Sequence, residues 1–152
     1  MASTQSYEER LSAPRSWWLI VALTGIAAAL IVTPYGVLAA LGGLAIGVAL
    51  SAAAVSSYGS ARIRVVSGSL VTPTARIPLT ALGKAEPLDA EEARAWRTHK
   101  ADTRAYMLLR AYVSTAVRVE VTDPEDPTPY LYLSTRQPER LIKALQPTQQ
   151  AQ

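Results

Sequence analysis

Residues 16–61 read SWWLIVALTGIAAALIVTPYGVLAALGGLAIGVALSAAAVSSYGSA, with no Asp, Glu, Lys or Arg in the run. The chain has 152 residues, and all of its 15 basic and 12 acidic side chains fall outside this stretch. The remainder is charged at about the one-quarter share of an ordinary water-soluble domain. Two different materials are thus joined in one chain. A single water-soluble core is excluded, because surface helices of such a core keep a polar face toward water. A charge-free run of this length suits the hydrocarbon of a bilayer.

The run divides at Thr33-Pro34-Tyr35-Gly36, where proline and glycine favour a turn. The first predicted span, 17–33, is about 17 residues and roughly 25 Å as a helix, close to the lower limit for crossing hydrocarbon. The second, 37–57, is about 21 residues and roughly 31 Å, which matches the core with little tilt. Together they make a transmembrane hairpin over 16–58. Trp17 and Trp18 suit an interfacial belt at its start. A cleaved signal peptide would explain Arg10 and Arg15 ahead of an apolar run, but Ala27, Ala28 and Ala29 lie inside that run, and a second run follows it. Arg10 and Arg15 before the hairpin and Arg62 and Arg64 after it place both termini in the cytoplasm by the positive-inside rule, as a multi-pass protein of the cell (inner) membrane. Small residues recur every four positions, at Gly25, Ala29 and Thr33 and at Ala39, Gly43, Gly47 and Ser51. Such stripes let helices approach closely and offer a face for a homo-oligomer.

Residues 59–146 hold one small domain, preceded by a cytoplasmic segment, 1–15, and followed by a frayed polar tail, 147–152. After Tyr58 the period changes to two. Ala61 to Val65, Ser69 to Thr72 and Ala75 to Leu79 read as a three-strand meander, with a turn at Ser67-Gly68. Asp89 caps a helix reaching about Thr98, with Glu92 placed for a capping box. Ala105 to Arg110, Thr115 to Thr122 and Tyr130 to Ser134 are further strands, the last two joined by the proline-rich loop 123–129. Val117, Val119 and Val121 face a core, with Arg118 and Glu120 on a solvated face. Ser134 or Thr135 caps a last helix with Pro138 in its first turn, and Leu141, Ile142 and Leu145 cover a sheet edge or barrel mouth.

The segment 115–130 (TAVRVEVTDPEDPTPY), continuing to STRQPERL at 134–141, resembles an uncharacterised actinobacterial family of membrane proteins. The similarity begins at Tyr7-Glu8-Glu9-Arg10-Leu11 and reaches the last helix. The order of hairpin, short strands, longer antiparallel strands and closing helix is similar to bacterial pleckstrin-homology-like domains tethered behind membrane hairpins. The resemblance implies an α+β membrane protein: an N-terminal transmembrane helical hairpin and a small antiparallel pleckstrin-like β domain closed by a C-terminal helix. It implies a location without an activity, since fold does not dictate function.

Chemistry is sparse. Without cysteine there is no disulfide, thiolate nucleophile or Cys-based metal site. His99 is the sole histidine and has no partner at ligand spacing, so it reads as a solvated loop residue. Asp123, Glu125 and Asp126 lack the glycine and terminal glutamate of a calcium loop. Leu82-Gly83-Lys84 lacks the pattern of a phosphate loop. No catalytic, metal or cofactor site is therefore expected, and no cofactor. From residue 59 onward, 13 basic and 10 acidic side chains make no dense basic run, which disfavours nucleic acid. Arg62 and Arg64 are membrane-proximal and meet an anionic leaflet. Arg118 and Arg136 are candidates for contact with an anion or partner, Arg136 near a helix N-terminus, against the plainer reading of an ion pair with Glu120 or Asp123. The sequence favours a non-enzymatic binding or scaffolding module that meets the lipid bilayer and a membrane or cytoplasmic protein or a lipid headgroup. The alternative is a membrane-bound enzyme or transport accessory with a site at the junction of hairpin and domain.

Membranes carrying the protein are expected to retain it through alkaline carbonate and high-salt washes, because two spans bury far more apolar surface than a peripheral anchor. Appearance in the soluble fraction after either wash contradicts the hairpin.

Overall fold

A computed structural model describes residues 6–146; the expected tail from Pro147 lies outside the described residues. The chain forms two compact units, one of residues 12–61 and one that combines the segment up to Leu11 with the chain from Arg62 onward.

The first unit is a helical hairpin. Helix α1 (Trp17–Val32) leads through a 3-10 turn (Thr33–Tyr35) into α2 (Val37–Tyr58). Gly36 sits at φ 110° between them, a backbone region that suits glycine. Both helices are long and apolar enough to cross a membrane, and Leu19, Ile31 and Leu38 stand mostly exposed on their outer surface. The hydroxyls of Thr24, Thr33 and Ser51 donate to the carbonyls of Ile20, Ala29 and Gly47, which satisfies them without water. Inside the hairpin, Gly43 and Gly47 of the second stripe meet Gly25 of the first and Ala28 of α1. A Cβ on Gly47 would lie 3.0 Å from Ala28 and 3.1 Å from the Gly25 backbone, and one on Gly43 would lie 2.9 Å from the Ala28 carbonyl oxygen. These glycines are occupied by the neighbouring helix of the same chain. At the open end, Trp17 stacks on Tyr58 with ring centroids 5.6 Å apart.

The second unit contains two four-stranded sheets. In the first, β1 (Tyr7–Arg10), β2 (Arg62–Val66), β3 (Ser69–Val71) and β4 (Arg76–Pro78) form an antiparallel meander in that order. Its first strand corrects the sequence reading. Residues 1–15 were expected to form a separate segment, yet Tyr7–Arg10 pairs with β2 in the register Tyr7↔Val65 to Arg10↔Arg62. Leu11 is fully buried. The domain therefore does not begin at residue 59, and a chain cut there would lose an edge strand. The alternation Tyr7/Glu9/Leu11 against Glu8/Arg10 is a strand signal hidden by its three charges and its distance in sequence from β2. Ser67 and Gly68, both at positive φ, make the tight β2–β3 turn.

The second sheet runs β5 (Leu82–Leu88), β7 (Ala116–Val121), β8 (Tyr130–Ser134), β6 (Tyr106–Leu108). Strand β5 was not expected; it contains Gly83 and Pro87 and lies at the sheet edge, where a proline is tolerated. The expected all-antiparallel arrangement fails at one place, since β6 pairs with β8 in parallel. Strand β8 lies between β7, to which it is antiparallel, and β6, to which it is parallel. Helix α3 (Ala90–Trp96) follows β5, with Asp89 accepting from the Glu92 amide at 2.8 Å as its cap. Helix α4 (Pro138–Leu145) buries Leu141, Ile142, Ala144 and Leu145 and packs on β1, β5 and β7. Its N-cap is Gln137, without a side-chain cap bond, in place of the expected Ser134 or Thr135. All of β8 is buried, with Tyr130 and Tyr132 packed beside Ala93 and Trp96 of α3.

Gly43→Leu is expected to destabilise the hairpin by about 1–3 kcal/mol, since the added side chain meets backbone that cannot yield. Gly42→Leu, where a Cβ meets nothing within 4 Å, leaves stability nearly unchanged. Thermal unfolding of the two variants in detergent checks the contrast.

Candidate functional site

The most tightly held polar cluster lies where β1 meets the β8–α4 junction. Alternation along β1 turns Tyr7 and Glu9 inward. The Glu9 side chain comes to rest 7 % exposed, beside the buried Thr135 that ends β8. A carboxylate in such a place must find donors. Three converge: the Tyr7 hydroxyl on Oε2 at 2.7 Å, the Thr135 hydroxyl on the same oxygen, and the Arg136 amide on Oε1 at 2.8 Å. The Thr135 Oγ1 in turn accepts from the Gln137 amide at 3.0 Å, so the network runs into the first turn of α4. The Tyr112 hydroxyl donates to the Leu11 carbonyl beside it. Burial pushes the Tyr7 phenol well above its ordinary pKa; the Thr135 hydroxyl opposes that rise and Glu9 adds to it. Tyr7 thus remains a neutral donor throughout the physiological range. The cluster is closed upon itself: its donors and acceptors meet one another, which suits a structural clamp.

The sequence candidates occupy other positions. Arg118, expected on a solvated face, lies under α3 with 18 % of its side chain exposed. Its Nη2 is 2.7 Å from Glu86 Oε2 and 3.8 Å from Glu120 Oε1, and its guanidinium lies 4.5 Å from the Trp96 ring centre. The expected Glu120 partner is therefore secondary, and Glu86, on the unexpected strand β5, is primary; Asp123 accepts from the Glu125 amide instead. Lys84 and then Arg118 hold the Glu86 carboxyl below its usual range. The Arg136 guanidinium lies 5.7 Å from the Tyr112 ring centre, while its amide serves Glu9. The structure does not bring Arg118 and Arg136 together. Trp17 is stacked inside the hairpin and Trp18 is half exposed. Arg62 and Arg64 stand on the exposed face of β2, Arg62 at 3.4 Å from Glu8.

His99 belongs to an open depression on α3, lined also by Glu91, Glu92 and Arg94. Among the described residues, no three His, Asp or Glu side chains are grouped to hold a metal ion. A second shallow depression, of about 300 Å³, lies over the clamp between Tyr7, Arg140 and Lys143. Sequence reasoning missed Glu9, which falls in the segment 1–15 set apart from the domain. The usable signal was its place between Tyr7 and Leu11 on one side of an alternating segment.

Glu9→Leu should destabilise the β unit by about 3 kcal/mol, since it leaves the Tyr7 and Thr135 hydroxyls and the Arg136 amide without their acceptor. Glu8→Gln, at an ion pair about half exposed, should change stability by less than about 0.5 kcal/mol. Denaturant unfolding of the full chain in detergent, followed by near-ultraviolet circular dichroism, separates the two.

No curated protein and no solved structure matches the chain. One family model does, over residues 6–145. That match opens one residue before β1 and closes on the last residue of α4. It therefore takes in the early strand, the helical hairpin and both sheets together. On that extent the chain belongs to the family described as a protein of unknown function (DUF3093).

Proposed function

We propose that the chain is a two-span membrane protein that presents its β unit at the cytoplasmic face as a non-enzymatic binding module. The observation that carries the reading is the β1–β2 ladder. Arg10 and Arg62 are direct partners in it, a spacing of about 5 Å between Cα atoms. The entry to α1 and the exit from α2 must then lie on the same side of any bilayer the helices cross. Two crossings meet that condition and one does not. Arg10, Arg15, Arg62 and Arg64 at these ends favour the cytoplasmic side.

A pleckstrin-like β unit is supported by two four-stranded sheets with a C-terminal helix packed against them, although the parallel β6–β8 pair departs from a purely antiparallel plan. A binding role is favoured over catalysis by how the buried polar groups are used. Glu9, Thr135 and Arg118 engage one another or fixed neighbours, whereas an enzyme aims such groups into a pocket.

The absence of cysteine allows a direct test of topology. Tyr35, 84 % exposed in the turn between the helices, and Glu125, exposed in the β7–β8 loop, are each replaced by cysteine. In right-side-out membrane vesicles, a membrane-impermeant maleimide should label Tyr35→Cys at once and Glu125→Cys only after permeabilisation. Labelling of both before permeabilisation, or the reverse order, overturns the arrangement.

A further inference from the structure

The outward face of the first sheet carries a charge distribution that folding does not explain. Alternation in β1 and β2 turns Tyr7, Glu9, Ile63 and Val65 inward and leaves Glu8, Arg10, Arg62 and Arg64 exposed. On β4, Arg76 is exposed as well. The register sets these side chains in rows. Arg10 stands opposite Arg62, while Glu8, Arg64, Val71 and Arg76 follow one another across the four strands. Four arginines thus share one face with a single glutamate, a surplus of three positive charges. The whole chain has a formal net charge of +3, so the rest of the molecule is formally neutral. Like charges placed directly across a ladder destabilise it, and Arg10 opposite Arg62 is such a pair. Among the described residues, only Arg62 of the four has an ion-pair partner, Glu8.

The position of the face in the chain narrows the kinds of partner that can reach it. Arg62 follows the last residue of α2 by four positions, and Arg10 precedes the first residue of α1 by seven. Four residues span at most about 14 Å, less than two Debye lengths of about 8 Å at physiological ionic strength. If the helices cross a bilayer, the first row is held within reach of the headgroups with no search. We propose that the face formed by Arg10, Arg62, Arg64 and Arg76 is a docking surface for the anionic phospholipids of the membrane that holds the hairpin. The guanidinium groups meet phosphate oxygens in the planar two-bond geometry that arginine offers and lysine does not. The hairpin keeps the protein in the membrane, and the arginine face makes the attachment of the β unit depend on lipid charge.

This proposal rests on the two-span reading, and its test separates the two. Val66, exposed on the same face, is replaced by cysteine, labelled with bimane, and the full chain is reconstituted into nanodiscs containing headgroup spin-labelled lipid. One set of discs is phosphatidylcholine alone; the other includes phosphatidylglycerol. Quenching should be at least twofold greater in the anionic discs and should fall to the neutral level in 0.5 M NaCl. Arg64→Gln and Arg76→Gln each remove an exposed charge and leave Arg10 and Arg62 to orient the hairpin. Each should weaken the docked population about fivefold, and unchanged thermal melting identifies the loss as one of docking rather than folding. Arg64→Glu serves as a second variant and should abolish the anionic increment. Equal quenching in neutral and anionic discs, or quenching unmoved by both the glutamine and the glutamate variants, overturns the lipid assignment. A chain that fails to enter the discs overturns the two-span reading instead.

Discussion

A carboxylate shut away from water dictates how this chain is assembled. Glu9 is buried, and desolvating it is unfavourable unless its oxygens are met. They are met by Tyr7 on its own strand and by Thr135 and Arg136 from the far end of the chain. Those contacts hold β1 against the start of α4. In doing so they place Leu11 in the core and give α4 a wall on which its apolar face closes. Without Glu9 the first strand keeps its four-residue ladder with β2, the bond from Tyr112 to the Leu11 carbonyl and the burial of Tyr7 and Leu11, but loses its polar tie to the start of α4.

That attachment joins the two ends of the chain within the β unit. The helical hairpin is an insertion between two adjacent antiparallel strands, in the position a short loop fills in an ordinary β-hairpin. The helices meet through glycines whose backbone admits no larger side chain, and the β unit is held by a core and by polar clamps. In the second sheet, Arg118 performs a comparable task. It lies between Glu86 and the ring of Trp96 and binds α3 to β5 and β7.

The parts legible from sequence were those governed by local pattern. The helical hairpin and its turn at Thr33 follow from the absence of charge and from Pro34 and Gly36. Strand β8, the Asp89 cap and the apolar face of α4 follow from period and capping chemistry. What escaped depends on contacts far apart in sequence. Strand β1 finds its partner only across the hairpin, and nothing within Tyr7–Arg10 announces that partner. Strand β5 contains Pro87 and Gly83 and becomes a strand because Val117, Val119 and Val121 present a ladder to it. Arg118 appeared solvated because the alternation of β7 shows two faces without showing that α3 covers one of them. The clamp was unreadable for the same reason: Glu9 and Thr135 lie at opposite ends of the chain.

The β1–β2 pairing also sets an order of events during synthesis. Strand β1 leaves the ribosome first and must wait for residues 12–61 before β2 exists. Closing a flexible loop of ~50 residues carries an entropic penalty that grows with the logarithm of its length. The helical hairpin removes most of it, because its own ends are already together: Trp17 stacks on Tyr58, and the Gly59 backbone approaches Ala13 so closely that a Cβ there would lie 2.8 Å from the Ala13 amide nitrogen. The effective loop shrinks to a handful of residues, a saving of about 2 kcal/mol at about 0.6 kcal/mol for each halving. Helix pairing thus acts as a template for the sheet. A chain whose helices fail to pair keeps its first strand unmatched, with Glu9 exposed and Leu11 uncovered, which marks the failed product as unfolded to any protease that samples it.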